Sequence, residues 1–337
     1  MQSIEIVDRF QRDFFESEVV PAYRPVIFKD AVSHWPLVQQ ARKSSVDLMA
    51  FLEARATPGK IWTIEAPRDS GGRFFYSADG CGFNFERKIT TFQHFSQRLK
   101  NWVDDQHAPA LSMQSAFVDE HFYDVRESHS IPVFSSDIRP RIWIGNRSVV
   151  ATHYDHSENI ACVAAGRRRF TLFPPHQISN LYLGPLDKTI GGSPVSMVSL
   201  LSPDFDRYPR FEEALKHALV AELEPGDVIY IPTLWFHHVE ALEGINILVN
   251  FWRSSGGAAS GPRPADALLL ALLTIQDQPP SIKAAWKSFF DYYVFDTFGD
   301  PSAHLPEELK GMLGGMDPDM AMKLRRWLVR QLSEAGE

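Results

Sequence analysis

"RIWIGNRSVVATHYD", residues 141–155, decides the fold class. It runs or alternates β-branched and aromatic residues, the composition of strand rather than helix. Three further stretches share that character. "RRRFTLFPP" (167–175) reads as a short strand stopped by Pro174 and Pro175. "DVIYIPTLWFHHVEAL" (227–242) and "INILVNFW" (245–252) are strand-like runs parted by the turn at "EGIN". Short strands punctuated by Pro and Gly, with few long helices, predict a sandwich or jelly roll rather than a doubly wound sheet.

On the N-terminal side, residues 1–130 are mixed. "SSVDLMAFLEARA" (44–56) carries a Ser N-cap and an apolar stripe at Leu48, Phe51 and Leu52, which predicts a short helix. "TTFQHFSQRLKNWV" (90–103) repeats the pattern, and the Gly- and Ser-rich "PRDSGGRFFYSADGCG" (67–82) between them predicts a loop. On the C-terminal side, "RSSGGAASGPRP" (253–264) reads as a linker, followed by helix-period apolar faces in "ADALLLALLTIQ", "SIKAAWKSFFDYYVF" and "DMAMKLRRWLVRQL". The expected organisation is a flanking α/β region over 1–130, a β core over 131–256 and a helical region over 262–337. The helices either pack on the core or form a homodimer.

Composition narrows the function classes. The chain has 337 residues, 44% hydrophobic and 23% charged, as soluble globular proteins do. Its net charge of −8 is a poor match to a phosphate backbone, and Arg167–Arg169 is the one short basic cluster, so nucleic acid is not the expected partner. Cys81 and Cys162 are too few for a disulfide framework or a Cys-rich zinc site. Neither a secretory signal nor a membrane span is evident, and the expected location is the cytoplasm.

The chemistry-bearing residues cluster in the β region. On a strand, residues i and i+2 share a face, so His153 and Asp155 point together while Tyr154 and His156 point away. Alone, a His-x-Asp triplet is weak evidence for a metal. The run Trp235-Phe236-His237-His238 offers a third ligand, and only one of its two histidines can share the inward face. Two His and one carboxylate leave coordination positions open, the arrangement of non-haem Fe(II) oxygenases. Such a centre needs a two-electron co-substrate. 2-Oxoglutarate would chelate the metal and present a distal carboxylate, for which Arg168 on the following strand is placed.

"THYDHSENIACVAAGRRRFTLFPPHQISNLY", "SPDFDRYPRF", "LEPGDVIYIPTLWFHHVEAL" and "INILVNFW" together resemble the cupin-like Jumonji-C family. The likeness is strongest to the branch containing an asparaginyl hydroxylase, and "PVIFKDAVSHWP" (25–36) resembles the start of these proteins. The resemblance implies a mainly β fold: a double-stranded β-helix (jelly-roll, cupin) core with N-terminal α/β elements and C-terminal helices. It implies Fe(II), 2-oxoglutarate and O2 as cofactor and co-substrates, with His153, Asp155 and His237 as metal ligands. Arg168 falls where the family has a Lys for the co-substrate carboxylate; Asn159, Asn250 and Trp252 match other positions of that pocket. In "ALSMQSAF" (110–117), Ser112 stands where a Tyr often reaches the same carboxylate, and Val150 where some relatives have a hydroxyl. The expected activity is hydroxylation of a protein side chain or small molecule. The competing readings are a cupin using zinc or manganese without 2-oxoglutarate, and a non-catalytic binding protein that kept the fold.

Overall fold

The computed structural model describes residues 2–254 and 263–334. It divides into two compact units, Met1–Ala259 and Ser260–Glu337. Most of the predicted linker, 255–262, lies outside the described residues.

The first unit is built on two sheets. In chain order the strands are β1 (Val26–Phe28), β2 (Ile61–Ala66), β3 (Glu86–Thr90), β4 (Ala110–Phe117), β5 (Arg141–Gly145) and β6 (Ser148–Tyr154). They continue with β7 (Ser157–Ala165), β8 (Arg168–Phe173), β9 (Leu219–Leu223), β10 (Val228–Ile231), β11 (Phe236–Ala241) and β12 (Asn246–Ser254). One sheet orders β9-β8-β11-β6 between the short edges Gln2–Ser3 and Arg73–Phe74. The other orders β1-β10-β7-β12-β5-β4-β2-β3, with Glu5–Ile6 at the β1 edge. The core strands alternate between the sheets from β5 to β8 and again from β9 to β12, with β8 and β9 neighbours in one sheet, which is the expected jelly-roll barrel.

Two apolar layers hold it. Between the sheets pack Ile27, Ala161, Val163, Phe170, Leu172 and Ile229. Behind the larger sheet, Trp35, Leu48, Phe95, Ile144, Ile160 and Val249 belong to a second cluster. Each such large side chain, taken fully from water, contributes about 1.5–3 kcal/mol before entropy is counted. The second cluster includes residues of helices α1 (Pro36–Lys43), α2 (Ser45–Glu53) and α3 (Phe92–Asn101). The caps follow the sequence: Ser44 Oγ accepts from Asp47 N at 3.0 Å, and Thr91 Oγ1 from His94 N at 3.3 Å.

Three local expectations need correction. The stretch 67–82 is not only loop, because Arg73–Phe74 pairs in parallel with β6. "RIWIGNRSVVATHYD" is two strands, β5 and β6, turned at Asn146 and Arg147. "DVIYIPTLWFHHVEAL" is also two strands, and they lie in different sheets. Pro232 cannot donate to a ladder, and Leu234 takes a left-handed φ of 65°, so the chain crosses between sheets there. Close approach also explains Gly145: a Cβ there would sit 2.6 Å from the Leu111 carbonyl oxygen.

In the second unit the three predicted helices form as α4 (Pro264–Ile275), α5 (Pro280–Tyr293) and α6 (Pro318–Glu334). Many of their large apolar residues are exposed, Leu273, Phe289 and Trp327 among them. No helix of the described residues is long and apolar enough to cross a membrane.

Candidate metal centre and its cavity

β6 and β11 are antiparallel neighbours, with His153 opposite His237. The register shifts between His237 and Val239, whose partners are His153 and Val150, so β6 carries one extra residue at Ala151–Thr152. This bulge re-aims the strand just before His153. At the other end, Leu234 N–H donates to the Asp155 carbonyl oxygen at 2.9 Å, tying the turn before β11 to the end of β6.

Ligating atoms of His153, Asp155 and His237 all lie within 4.8 Å of one another. His237 Nε2 is 3.7 Å from Asp155 Oδ2, and the two imidazole centroids are 4.2 Å apart. The backbone sets both tautomers. His153 Nδ1 is 2.9 Å from the Ala151 carbonyl oxygen, and His237 Nδ1 is 3.2 Å from that of Trp235. A carbonyl only accepts, so each Nδ1 carries the proton and each Nε2 keeps its lone pair for the centre. Burial, and then the neighbouring His153, pull the His237 pKa down to about 4, which keeps that ring neutral near pH 7.

His238 faces the opposite side of β11. It is buried, its Nε2 has no hydrogen-bond partner, and burial lowers its pKa to about 3. Tyr154 also turns away, its ring 5.4 Å from that of Phe236.

The triad opens into a cavity of about 540 Å³, ordinary for a small-ligand site. Asn159, Arg168, Asn250, Trp252 and Val150 line it with the triad. Asn250 Nδ2 donates to Asn159 Oδ1 at 2.8 Å, and Asn159 Nδ2 to Asp155 Oδ2 at 3.3 Å. Arg168 is 7% exposed and forms no ion pair or hydrogen bond among the described residues, with Nε unpartnered. Burial brings its pKa down to about 10, so it remains a cation. Asn250 Oδ1 and Trp252 Nε1 are likewise buried without partners. Unpaired buried polar atoms are costly in a folded chain, and several converging on one cavity mark a place for a polar ligand.

Ser112 is the exception among the expected residues. It does not line the cavity; its hydroxyl donates to the Met113 carbonyl oxygen at 3.4 Å. β4 shifts register between Met113 and Ala116, and Ser115 takes a φ of 51°. The irregularity brings Gln114 and Ser115 to the wall instead.

Arg141, Trp143, Trp62 and Arg87 also line the cavity and were missed as site residues. For two of them a signal was present. In Arg141-Ile142-Trp143-Ile144, Ile142 and Ile144 are fully buried, so the alternate positions take the other face of the sheet.

The cupin-like domain family matches residues 11–256. The human bifunctional peptidase and (3S)-lysyl hydroxylase JMJD7 is 32% identical over 268 residues, 71% of this chain and 79% of that protein. The Arabidopsis thaliana lysine-specific demethylase JMJ31 is 36% identical over 124 residues, 37% of this chain and 22% of that protein. The mouse tRNA wybutosine-synthesizing protein 5 is 40% identical over 105 residues, 30% of each. The aligned part thus spans less than a third of the latter two proteins. A jelly-roll barrel, a matching domain over most of its length and relatives of this kind establish that the chain belongs to the cupin-like family of Jumonji-C type.

Proposed function

We propose that this chain is an Fe(II)- and 2-oxoglutarate-dependent oxygenase that hydroxylates a C–H bond. One observation carries the reading: the His153, Asp155 and His237 ligand atoms share a cavity with Arg168, a buried cation lacking a counter-charge. The donor set suits a divalent metal with positions left for other ligands. The unpaired guanidinium suits the far carboxylate of a keto-diacid. A zinc or manganese cupin without a co-substrate would leave that charge unexplained.

When bound, iron and 2-oxoglutarate would supply the oxidising chemistry: O2, 2-oxoglutarate and R–H give R–OH, succinate and CO2. The residues of the chain have simpler tasks. His153 and His237 hold the ion through Nε2, while Nδ1–H bonds to the main chain stop the rings from turning. Asp155 supplies one negative charge, and Asn159 steadies its Oδ2. Arg168 binds and orients the co-substrate carboxylate, while Phe170, Val239 and Leu248 give the cavity an apolar wall that excludes water.

The test is succinate release from 2-oxoglutarate with Fe(II) under air, run beside anaerobic Mn(II) binding. One Mn(II) per chain and iron-dependent succinate are expected; full activity in Asp155→Ala would end the ligand assignment. For the second unit we propose self-association, supported by the exposed apolar residues of α4–α6. Light scattering should then give twice the 38.2 kDa chain mass.

A further inference from the structure

The charges around the cavity are one-sided. Arg87, Arg141 and Arg168 line it, and among the described residues Asp155 is the only carboxylate that does. None of the three arginines forms an ion pair among the described residues. Elsewhere Arg42, Arg98, Arg139, Arg167, Arg169 and Arg253 meet a carboxylate within 4 Å, while Arg12, Arg55 and Arg210 donate to main-chain carbonyls instead. The chain has a surplus of acid, 42 Asp and Glu against 34 Lys and Arg, yet among the described residues only Asp155 brings any of it to the cavity wall. Arg168 is accounted for by the co-substrate proposed above. Arg87 and Arg141 are not.

Arg141 is held as a docking group would be. Its Nη1 donates to the Ser115 carbonyl oxygen at 3.0 Å and to Ser115 Oγ at 3.1 Å. Its guanidinium lies over Phe117 at 4.0 Å and within 5.5 Å of the Trp252 ring centroid. The Nε–Nη2 edge makes no hydrogen bond among the described residues, and that two-pronged edge matches a carboxylate. The strained Ser115 backbone that clamps Nη1 thus serves a wall residue. Arg87 stands on exposed β3, its Nη2 3.3 Å from the Ile190 carbonyl oxygen. Trp62, 64% exposed on neighbouring β2, shares the cavity wall with it.

We propose that the substrate oxidised here carries a carboxylate, docked on the free edge of Arg141 with Arg87 as a second cation. The inference rests on the oxygenase reading for the word oxidised, but the docking is testable without turnover. With 2-oxoglutarate offsetting Arg168 and the ion, a substrate ammonium would still meet the guanidinium groups of Arg87 and Arg141 with no carboxylate of the wall left to balance them. A polynucleotide is disfavoured by the acidic chain as a whole. The carboxylate could belong to an acidic side chain of a polypeptide or to a free acid.

Calorimetry on the full chain, with Mn(II) and 2-oxoglutarate present, separates these cases. The probes are capped pentapeptides with a central glutamate, glutamine or lysine, N-acetylglutamate, and a short single-stranded RNA. The glutamate peptide should bind about tenfold or more tightly than its glutamine and lysine counterparts at low salt, and lose that preference as salt rises. Arg141→Gln should erase most of the preference, and Arg87→Gln, on an exposed strand and safe for folding, about threefold of it. N-acetylglutamate matching the glutamate peptide identifies a free acid; much weaker binding identifies a polypeptide. Equal or tighter binding of the lysine peptide overturns the proposal. So does tighter binding of the RNA, no binding of either carboxylate probe, or an Arg87→Gln chain with unchanged preference. If carboxylate binding holds while succinate release fails, the oxygenase reading falls and the docking site stands.

Discussion

The outer surface of the barrel and its cavity use the same side chains differently. Arg167 and Arg169 project outward from β8 onto Glu243 and Glu222, at 2.8 and 2.5 Å. Arg168, between them, projects inward and meets no carboxylate. Two histidines, His129 and His237, show the same contrast. In the packed interior, His129 Nε2 accepts from Leu37 N at 3.1 Å and its Nδ1 donates to the Val125 carbonyl oxygen at 2.6 Å. In the cavity, His237 satisfies Nδ1 alone and leaves Nε2 open. Most buried polar atoms of the scaffold find a partner, with His238 Nε2 an exception, whereas the cavity gathers several that do not, at a cost in stability.

The largest test of this contrast removes an open valence at the proposed metal centre. Asp155→Ala or His237→Ala should weaken Mn(II) binding about a hundredfold or more and abolish succinate release, with folding retained. An equal loss in His129→Gln would erase the distinction between the two kinds of histidine.

Next in size is Arg168, the cation proposed to hold the co-substrate. Arg168→Gln should raise the KM for 2-oxoglutarate by about 10²-fold. It should leave thermal stability unchanged or higher, because a buried unpaired charge is relieved. A large loss of stability would show that Arg168 is paired in solution after all.

The third test uses pH. Burial lowers the His129 pKa from the ordinary histidine value to about 4 in the fold. Its folded pKa is depressed, so the unfolded chain binds the proton first as pH falls. The contribution is therefore full above about pH 6.5 and lost progressively between there and pH 4, by up to about 3 kcal/mol. Denaturant unfolding across that window should show the loss, and His129→Gln should flatten it. A slope unchanged in the variant would assign the effect to other groups.

The smallest effect is expected outside. Arg169→Gln breaks an exposed pair with Glu222 and should change stability by less than about 1 kcal/mol, with the KM for 2-oxoglutarate unaltered. A KM change comparable to that of Arg168→Gln would break the comparison at its simplest point.

Much of the triad was legible because its cues are local. Period-two spacing joins His153 to Asp155, and the inward parity of Arg168 requires Arg167 and Arg169 to face out. The capped helices were legible for the same reason, through Ser44 and Thr91. What escaped depends on distant pairing or on a shifted register. Trp62 and Arg87 reach the wall because β2 and β3 extend the larger sheet beyond β4, which no local pattern states. Ser112 was expected at the pocket from the resemblance alone; the β-bulge after Met113 brings Gln114 and Ser115 to the wall instead, a register shift that no local pattern states.

Both imidazoles of the proposed metal centre are steered by main-chain carbonyls, those of Ala151 and Trp235. No side chain of the cavity wall mediates either contact. Any residue at position 151 or 235 still presents a carbonyl, so replacing the lining does not by itself misalign the rings. Orienting the triad and shaping what it meets are therefore separable properties of this barrel. Selection can recut the wall for a new substrate while the proposed seat of the ion is inherited intact.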